Sequence, residues 1–166
     1  MAEESVALFV DVQNIYYTTR QIYNSHFDYN AFLALVSKGR TITKAIAYAI
    51  DRGDPKQQQF QDILRTIGFE VKLKPYIQRS DGTSKGDWDV GITLDVMYWA
   101  PKVDIIALAS GDGDFDLLLQ RVHQDFGLQT EIYSVEALTA SSLIRVSSHF
   151  IPITHDLLLP INKAKQ

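Results

Sequence analysis

Acidic residues gather at three places where the chain leaves an apolar run or opens a new segment. They are Asp11, the pair Asp87 and Asp89, and the three carboxylates of Ser110-Gly111-Asp112-Gly113-Asp114-Phe115-Asp116. Carboxylates packed this densely repel one another unless a cation or a basic group compensates, so they point to a divalent metal or to phosphate chemistry. Helix capping and the helix dipole account for part of the pattern, since Asp is a preferred N-cap and favours the first turn. One cap needs one Asp, however, and Asp112, Asp114 and Asp116 exceed that need. Asp11 by itself is equally well a cap, and Asn14 is a common helix-start residue. Gly111 and Gly113 allow the backbone to bend and draw the acidic side chains together. Lys85 and Gly86 bring a lysine and the Asp87-Trp88-Asp89 carboxylates to a further helix start.

Positioning these groups requires strands that end beneath them. Val6–Val10 is an apolar run ending at Asp11, and Val103–Ala109 is another ending at Ser110. Further strands are expected over 42–50, 69–75, 129–135 and 150–153. Helices are expected after Asp11, over 29–37, from Pro55 to a stop at Gly68, over 87–99 with an apolar face through Val90, Leu94 and Met97, over 115–126 with a stop at Gly127, and over 137–146. Residues 78–86 form a polar, glycine-containing loop. Alternating strands and helices imply right-handed crossovers and a central, mainly parallel sheet of five to six strands covered on both faces, an α/β/α sandwich. Ligands of such sheets bind at the carboxyl edge of the strands, where the acidic groups fall. Asp95 lies six positions beyond Asp89, about 120° around the helix, so the two need not share a target and Asp95 can pair with a basic neighbour.

At 166 residues the chain makes one well-buried domain, expected over 1–160 with a loose tail over 161–166. Composition is that of an ordinary globular protein, 46% hydrophobic and 22% charged. With no cysteine, disulfide partners, thiolate zinc sites and cysteine nucleophiles are excluded, and a reducing, cytoplasmic compartment fits. The acidic start Met1–Ser5 does not read as a signal peptide, and no apolar stretch approaches the ~20 residues of a membrane helix. Net charge is -4, yet Asp outnumbers Glu 15 to 5, which concentrates part of the negative charge in short side chains suited to a site. Lys72, Lys74, Arg79 and Lys85 fall close together, as do Lys38, Arg40 and Lys44. Basic groups flanking an acidic cluster suit a metal-assisted phosphodiester site.

Other chemistry is poorly represented. There is no Walker loop, no GxGxxG after the first strand and no GxSxG elbow. His26, His123, His149 and His155 lack ligand-like spacing and read as surface or packing residues. Tyr16, Tyr17 and Tyr23 could stack on nucleobases, but at helical spacing they read more readily as core.

Taken together, Phe9-Val10-Asp11-Val12-Gln13-Asn14, then Lys85-Gly86-Asp87-Trp88-Asp89-Val90 leading to Leu94-Asp95, then Ser110-Gly111-Asp112-Gly113-Asp114-Phe115 resemble the NYN domain, and more narrowly its LabA-like (DUF88) branch within the PIN-like nuclease superfamily. The resemblance spans about residues 5 to 153. It implies a PIN-like sandwich with an acidic pocket that holds Mg²⁺ or Mn²⁺ and cuts RNA. Asp11, Asp89, Asp112 and Asp114 match the family's acidic positions, Asn14 the signature asparagine, and Asp95 a further helix aspartate. Ser110, Asp87, Lys85, Lys72, Lys74 and Arg79 would support the pocket or steer RNA. An extra residue after Gly86 makes Asp87 and Asp89 compete for the metal-facing position. Ser147-Ser148-His149-Phe150 lacks an aspartate many relatives carry there.

The leading expectation is a metal-dependent endoribonuclease acting on RNA, with homodimerisation left open. The alternative is a regulatory domain that binds RNA or protein without catalysis. Phosphoryl chemistry of the receiver or phosphohydrolase type fits less well, because the first strand ends Asp-Val-Gln rather than Asp-x-Asp.

Overall fold

The structure is a computed structural model that describes residues 3–160 except 76, 79–83 and 86, with the backbone alone at 77, 78, 84 and 85. The tail expected over 161–166 lies outside the described residues. Strand β1 (Glu4–Asp11) sits inside the sheet, and its alternation sends Val6, Leu8 and Val10 to one face and Ala7 and Phe9 to the other. All five of these side chains are fully buried, as expected of a parallel strand covered on both sides. It pairs with β2 (Arg40–Asp51) on one side and β6 (Ile105–Ala109) on the other. Strands β3 (Glu70–Pro75), β7 (Gln129–Ser134) and β8 (His149–Pro152) complete a six-stranded sheet in the order β3-β2-β1-β6-β7-β8, parallel throughout.

Helices α1 (Val12–Tyr23), α2 (Tyr29–Ser37) and α3 (Pro55–Ile67) cover the Val6/Leu8/Val10 face through Ile15, Phe32, Val36 and Leu64. Helices α4 (Asp89–Trp99), α5 (Asp116–Phe126) and α6 (Ser141–Val146) cover the other through Ile92, Val96, Leu118, Leu119, Val122 and Leu143. Each of the first three helices opens on an aspartate whose side chain accepts a backbone N–H: Asp11, Asp28 and Asp54. Gly68 and Gly127 end α3 and α5 at φ +132° and +66°, the left-handed stops expected of them.

Four features differ from expectation. The polar loop includes a short antiparallel pair, β4 (Ile77–Gln78) with β5 (Ser84–Lys85), while its tip lies outside the described residues. The helix expected over 137–146 is split into a 3₁₀ turn, Glu136–Leu138, and α6, because the Ala140 amide donates to Gly111 and the Thr139 hydroxyl to Val135. In α4 the buried face runs through Ile92 and Val96, and Val90 and Leu94 are 70% and 66% exposed. That helix is apolar nearly all round, so periodicity does not select a face; its rotation is set instead by Trp88, whose indole N–H donates to the Ala49 carbonyl. Finally, Tyr16 and Tyr17 are 39% and 50% exposed rather than core.

At the amino edge, Arg40 makes a bidentate pair with Glu131 at 2.9 and 2.7 Å, and Tyr133 donates to the same carboxylate at 2.7 Å. Burial works against the Glu131 charge, but Arg40 and Tyr133 outweigh it and hold its pKa below the ordinary value. Arg40, and Lys44 in its pair with Glu70, are therefore engaged away from the acidic strand ends.

Candidate metal centre

Asp11 is the last residue of β1, so its side chain stands at the carboxyl edge while it also caps α1. It is buried, and both of its oxygens are held: Oδ1 accepts the Asn14 amide at 3.3 Å and Oδ2 the Ser110 hydroxyl at 3.2 Å. Ser110, directly after β6, also accepts the Asp112 amide at 3.2 Å, so one hydroxyl orients two acidic positions. Asn14 accepts the Gly111 amide through Oδ1 at 2.9 Å, clamping the loop after β6 to the first turn of α1.

The Asp112 side chain caps the 3₁₀ turn Gly113–Phe115, accepting the Asp114 amide at 2.9 Å. Gly111 and Gly113 contribute by close approach rather than by unusual backbone angles, since neither has positive φ. A Cβ on Gly113 would lie 2.8 Å from Ala140 Cβ, and one on Gly111 would crowd Leu138 and Thr139 at 3.2–3.3 Å. The segment before α6 thus presses directly on the acidic loop.

Asp89 is the first residue of α4, and the Asp87 side chain, two residues before it, accepts the Asp89 amide at 3.2 Å. Oxygens of Asp11, Asp89 and Asp112 all lie within 4.8 Å of one another. Of the competing pair it is thus Asp89 that joins Asp11 and Asp112, while Asp87 is exposed. Asp114 is exposed and outside this trio, though near enough to add to the field on Asp89. Burial pushes the Asp89 carboxyl up to about 7, with Asp112, Asp87, Asp11 and Asp114 adding repulsion. Burial likewise pushes Asp11 up to about 6; the Asn14 amide and Ser110 hydroxyl oppose the rise, and Asp112 and Asp87 reinforce it. No ion pair among the described residues involves any of the three.

The supporting residues divide by location. Lys72 pairs with Asp95 at 2.7 Å, and Tyr48 donates to the same oxygen at 2.7 Å, so these three fasten α4 to β2 and β3. Asp95 pairs with a basic neighbour instead of joining the trio. Lys74 donates to the Asp87 carbonyl at 2.9 Å and stands 4.8 Å above the Trp88 ring, steadying the start of α4. Arg79 and the Lys85 side chain lie outside the described residues. Sequence reasoning missed Tyr48 and Trp88, because a buried tyrosine and a tryptophan at a helix start carry no periodic signal distinct from core.

A parallel sheet between two helical layers, with carboxylates converging at its carboxyl edge, defines an α/β/α sandwich of the PIN-like class. The NYN domain model matches residues 5–157, and the chain belongs to that family. Low amplitude and bright protein LabA of Synechococcus elongatus is 27% identical over 158 residues, covering 89% of this chain and 83% of LabA. Among solved structures, a protein of unknown function from Vibrio parahaemolyticus is 52% identical with a TM-score of 0.91, covering 95% of this chain and 97% of the other.

Proposed function

We propose that this protein is a metal-dependent endoribonuclease whose centre is Asp11, Asp89 and Asp112, with Asp114 at its rim. The observation that carries this reading is the convergence, within 4.8 Å, of carboxylate oxygens from three separate elements. The donor set suits Mg²⁺ or Mn²⁺: all ligands are hard oxygens, and burial, reinforced by mutual repulsion, disfavours the charged forms of Asp11 and Asp89, a penalty that a divalent cation offsets. When bound, such an ion polarises the scissile phosphate and lowers the pKa of a coordinated water. The chain's own residues prepare that chemistry. Ser110 and Asn14 fix the Asp11 carboxylate, the Asp114 amide fixes Asp112, and Asp87 fixes the first turn of α4 so that Asp89 faces its partners. Lys74, with Arg79 and Lys85 shortly after it in sequence, supplies positive charge for an RNA backbone, and Lys72 acts through Asp95.

Purified protein with Mn²⁺ is expected to cleave single-stranded or structured RNA, and the Asp112→Asn variant is not. Equal cleavage by both, or by neither, removes the enzyme reading.

One observation favours a second reading, a regulatory domain without catalysis. Ser148, where the family resemblance implies an aspartate, carries a hydroxyl instead and is tied to Thr130 through reciprocal amide–hydroxyl bonds of 2.9 and 3.0 Å at the amino ends of β7 and β8. Calorimetric titration separates the two: binding of Mn²⁺ tighter than millimolar, lost in Asp11→Asn, supports the nuclease, and its absence supports the regulator.

A further inference from the structure

Helix α1 begins at the metal centre and stays at the same edge of the sheet. Its first cap is Asp11, and at its far end the Tyr23 hydroxyl donates at 2.9 Å to the Ile153 carbonyl, just past β8. Between these anchors lies a cavity of about 290 Å³ lined by Tyr16, Arg20, Asn24, Ser25 and His26. That is near the lower end of small-molecule sites. The exposed Tyr16 ring faces the His26 ring with centroids 6.0 Å apart and 25° between planes. The Arg20 guanidinium stands 5.9 Å from the Tyr16 centroid, and its Nη1 donates to the Tyr16 hydroxyl at 3.1 Å. Arg20 has no carboxylate partner among the described residues. The rim is built: Ser25 Oγ donates to the Leu159 carbonyl at 2.8 Å, the Leu159 amide to the His26 carbonyl at 2.9 Å, and Phe27 bridges Leu158.

We propose that this cavity is a side subsite for single-stranded RNA, with an unpaired nucleobase stacked on Tyr16 and His26 and its phosphate on Arg20. The inference rests on the proposed function in that it takes RNA to be the ligand of the acidic centre. Tyr16 is five residues from Asp11 and Arg20 nine, about 7 and 14 Å along the axis, so the subsite receives nucleotides flanking the one at the carboxylates. Aromatic platforms beside a cation are the usual means of holding unpaired strands without reading sequence.

The test is anisotropy of a labelled single-stranded RNA oligonucleotide in EDTA, with cleavage in Mn²⁺ measured in parallel. Tyr16→Ala and Arg20→Gln are each expected to weaken binding by about tenfold. Tyr16→Trp, which keeps a stacking face, is expected to bind like the parent, and a duplex of the same sequence to compete poorly. Both positions are exposed, and an unchanged melting temperature confirms that folding is intact. If the parent binds RNA and the Ala and Gln variants bind as tightly, or if the duplex competes equally, the subsite is overturned while the nuclease reading stands. If the parent binds with the expected variant pattern but does not cleave, the nuclease reading fails and the subsite stands. A parent that binds no RNA overturns both.

Discussion

Ser110 donates to Asp11 while accepting from the Asp112 amide, so this hydroxyl links an acid that ends β1 to one in the loop after β6. Removing it in Ser110→Ala takes away a bond that favours the charged form of Asp11, and the already raised pKa climbs further. Mn²⁺ affinity at pH 7 is expected to fall several-fold and to recover toward pH 8.5, as read by calorimetry at the two pH values. The raised carboxyls also set a stability profile for the metal-free protein. Asp11 at about 6 and Asp89 at about 7 bind protons more tightly folded than unfolded, where the value is 3.8. The folded state therefore carries more protons between about pH 4 and 7, and stability falls as pH rises through that window. In EDTA the melting temperature is expected to increase from pH 7.5 to pH 5, and saturating Mn²⁺ to flatten the trend. A melting temperature that declines steadily over that range refutes the prediction.

Among the elements, α4 shows best how local pattern and tertiary packing diverge. Gly91 lies inside this helix, where Ala is ordinarily about 1 kcal/mol more favourable. Here a Cβ would lie 2.5 Å from the Trp88 ring, which is itself bonded to Ala49. Displacing that indole is an overpacking change of about 1–3 kcal/mol. Gly91→Ala is therefore expected to lose about 1 kcal/mol in urea denaturation and to shift tryptophan emission, contrary to propensity. Gly113→Ala meets Ala140 at 2.8 Å, and is expected to weaken Mn²⁺ binding more than it lowers stability, because the collision falls on the loop carrying Asp112. The six strands of the main sheet, the glycine stops and the three acidic junctions were legible in the sequence, since each rests on short-range signals: apolar runs, left-handed stops and polar residues at strand ends and helix starts. The exposed face of α4, the broken segment before α6 and the exposure of Tyr16 and Tyr17 were not. Each is decided by a partner distant in sequence, such as Ala49 for Trp88 or Gly111 for Ala140.

Over the whole molecule, the two helical layers meet the sheet in separate cores, and the Arg40–Glu131 pair ties β2 to β7 at the amino edge. Nothing in the spacing of these residues announced that pairing, because it crosses two intervening strands. Breaking a buried pair leaves a charge without a partner and costs about 3–5 kcal/mol, less here because Arg40 is partly exposed. Arg40→Met is expected to lose about 2–3 kcal/mol in urea denaturation, and the double variant with Glu131→Gln to regain part of it. The sign with pH is opposite to that of Asp11 and Asp89. Because Glu131 is held below its ordinary pKa of 4.5, its contribution is complete above that value and is lost as pH falls through the lower folded one. The Arg40→Met variant is accordingly expected to show a smaller acid-induced loss of stability than the parent below pH 4.5.

The hydroxyl that joins Ser110 to Asp11 spans 99 positions of chain, and β1 finds its β6 partner across a similar distance. During synthesis Asp11 leaves the ribosome long before Asp112 has been translated. A growing chain that has not reached β6 has half a sheet and no assembled pocket, so the acidic centre comes into being only after the loop carrying Asp112 has been made and has docked on Asp11.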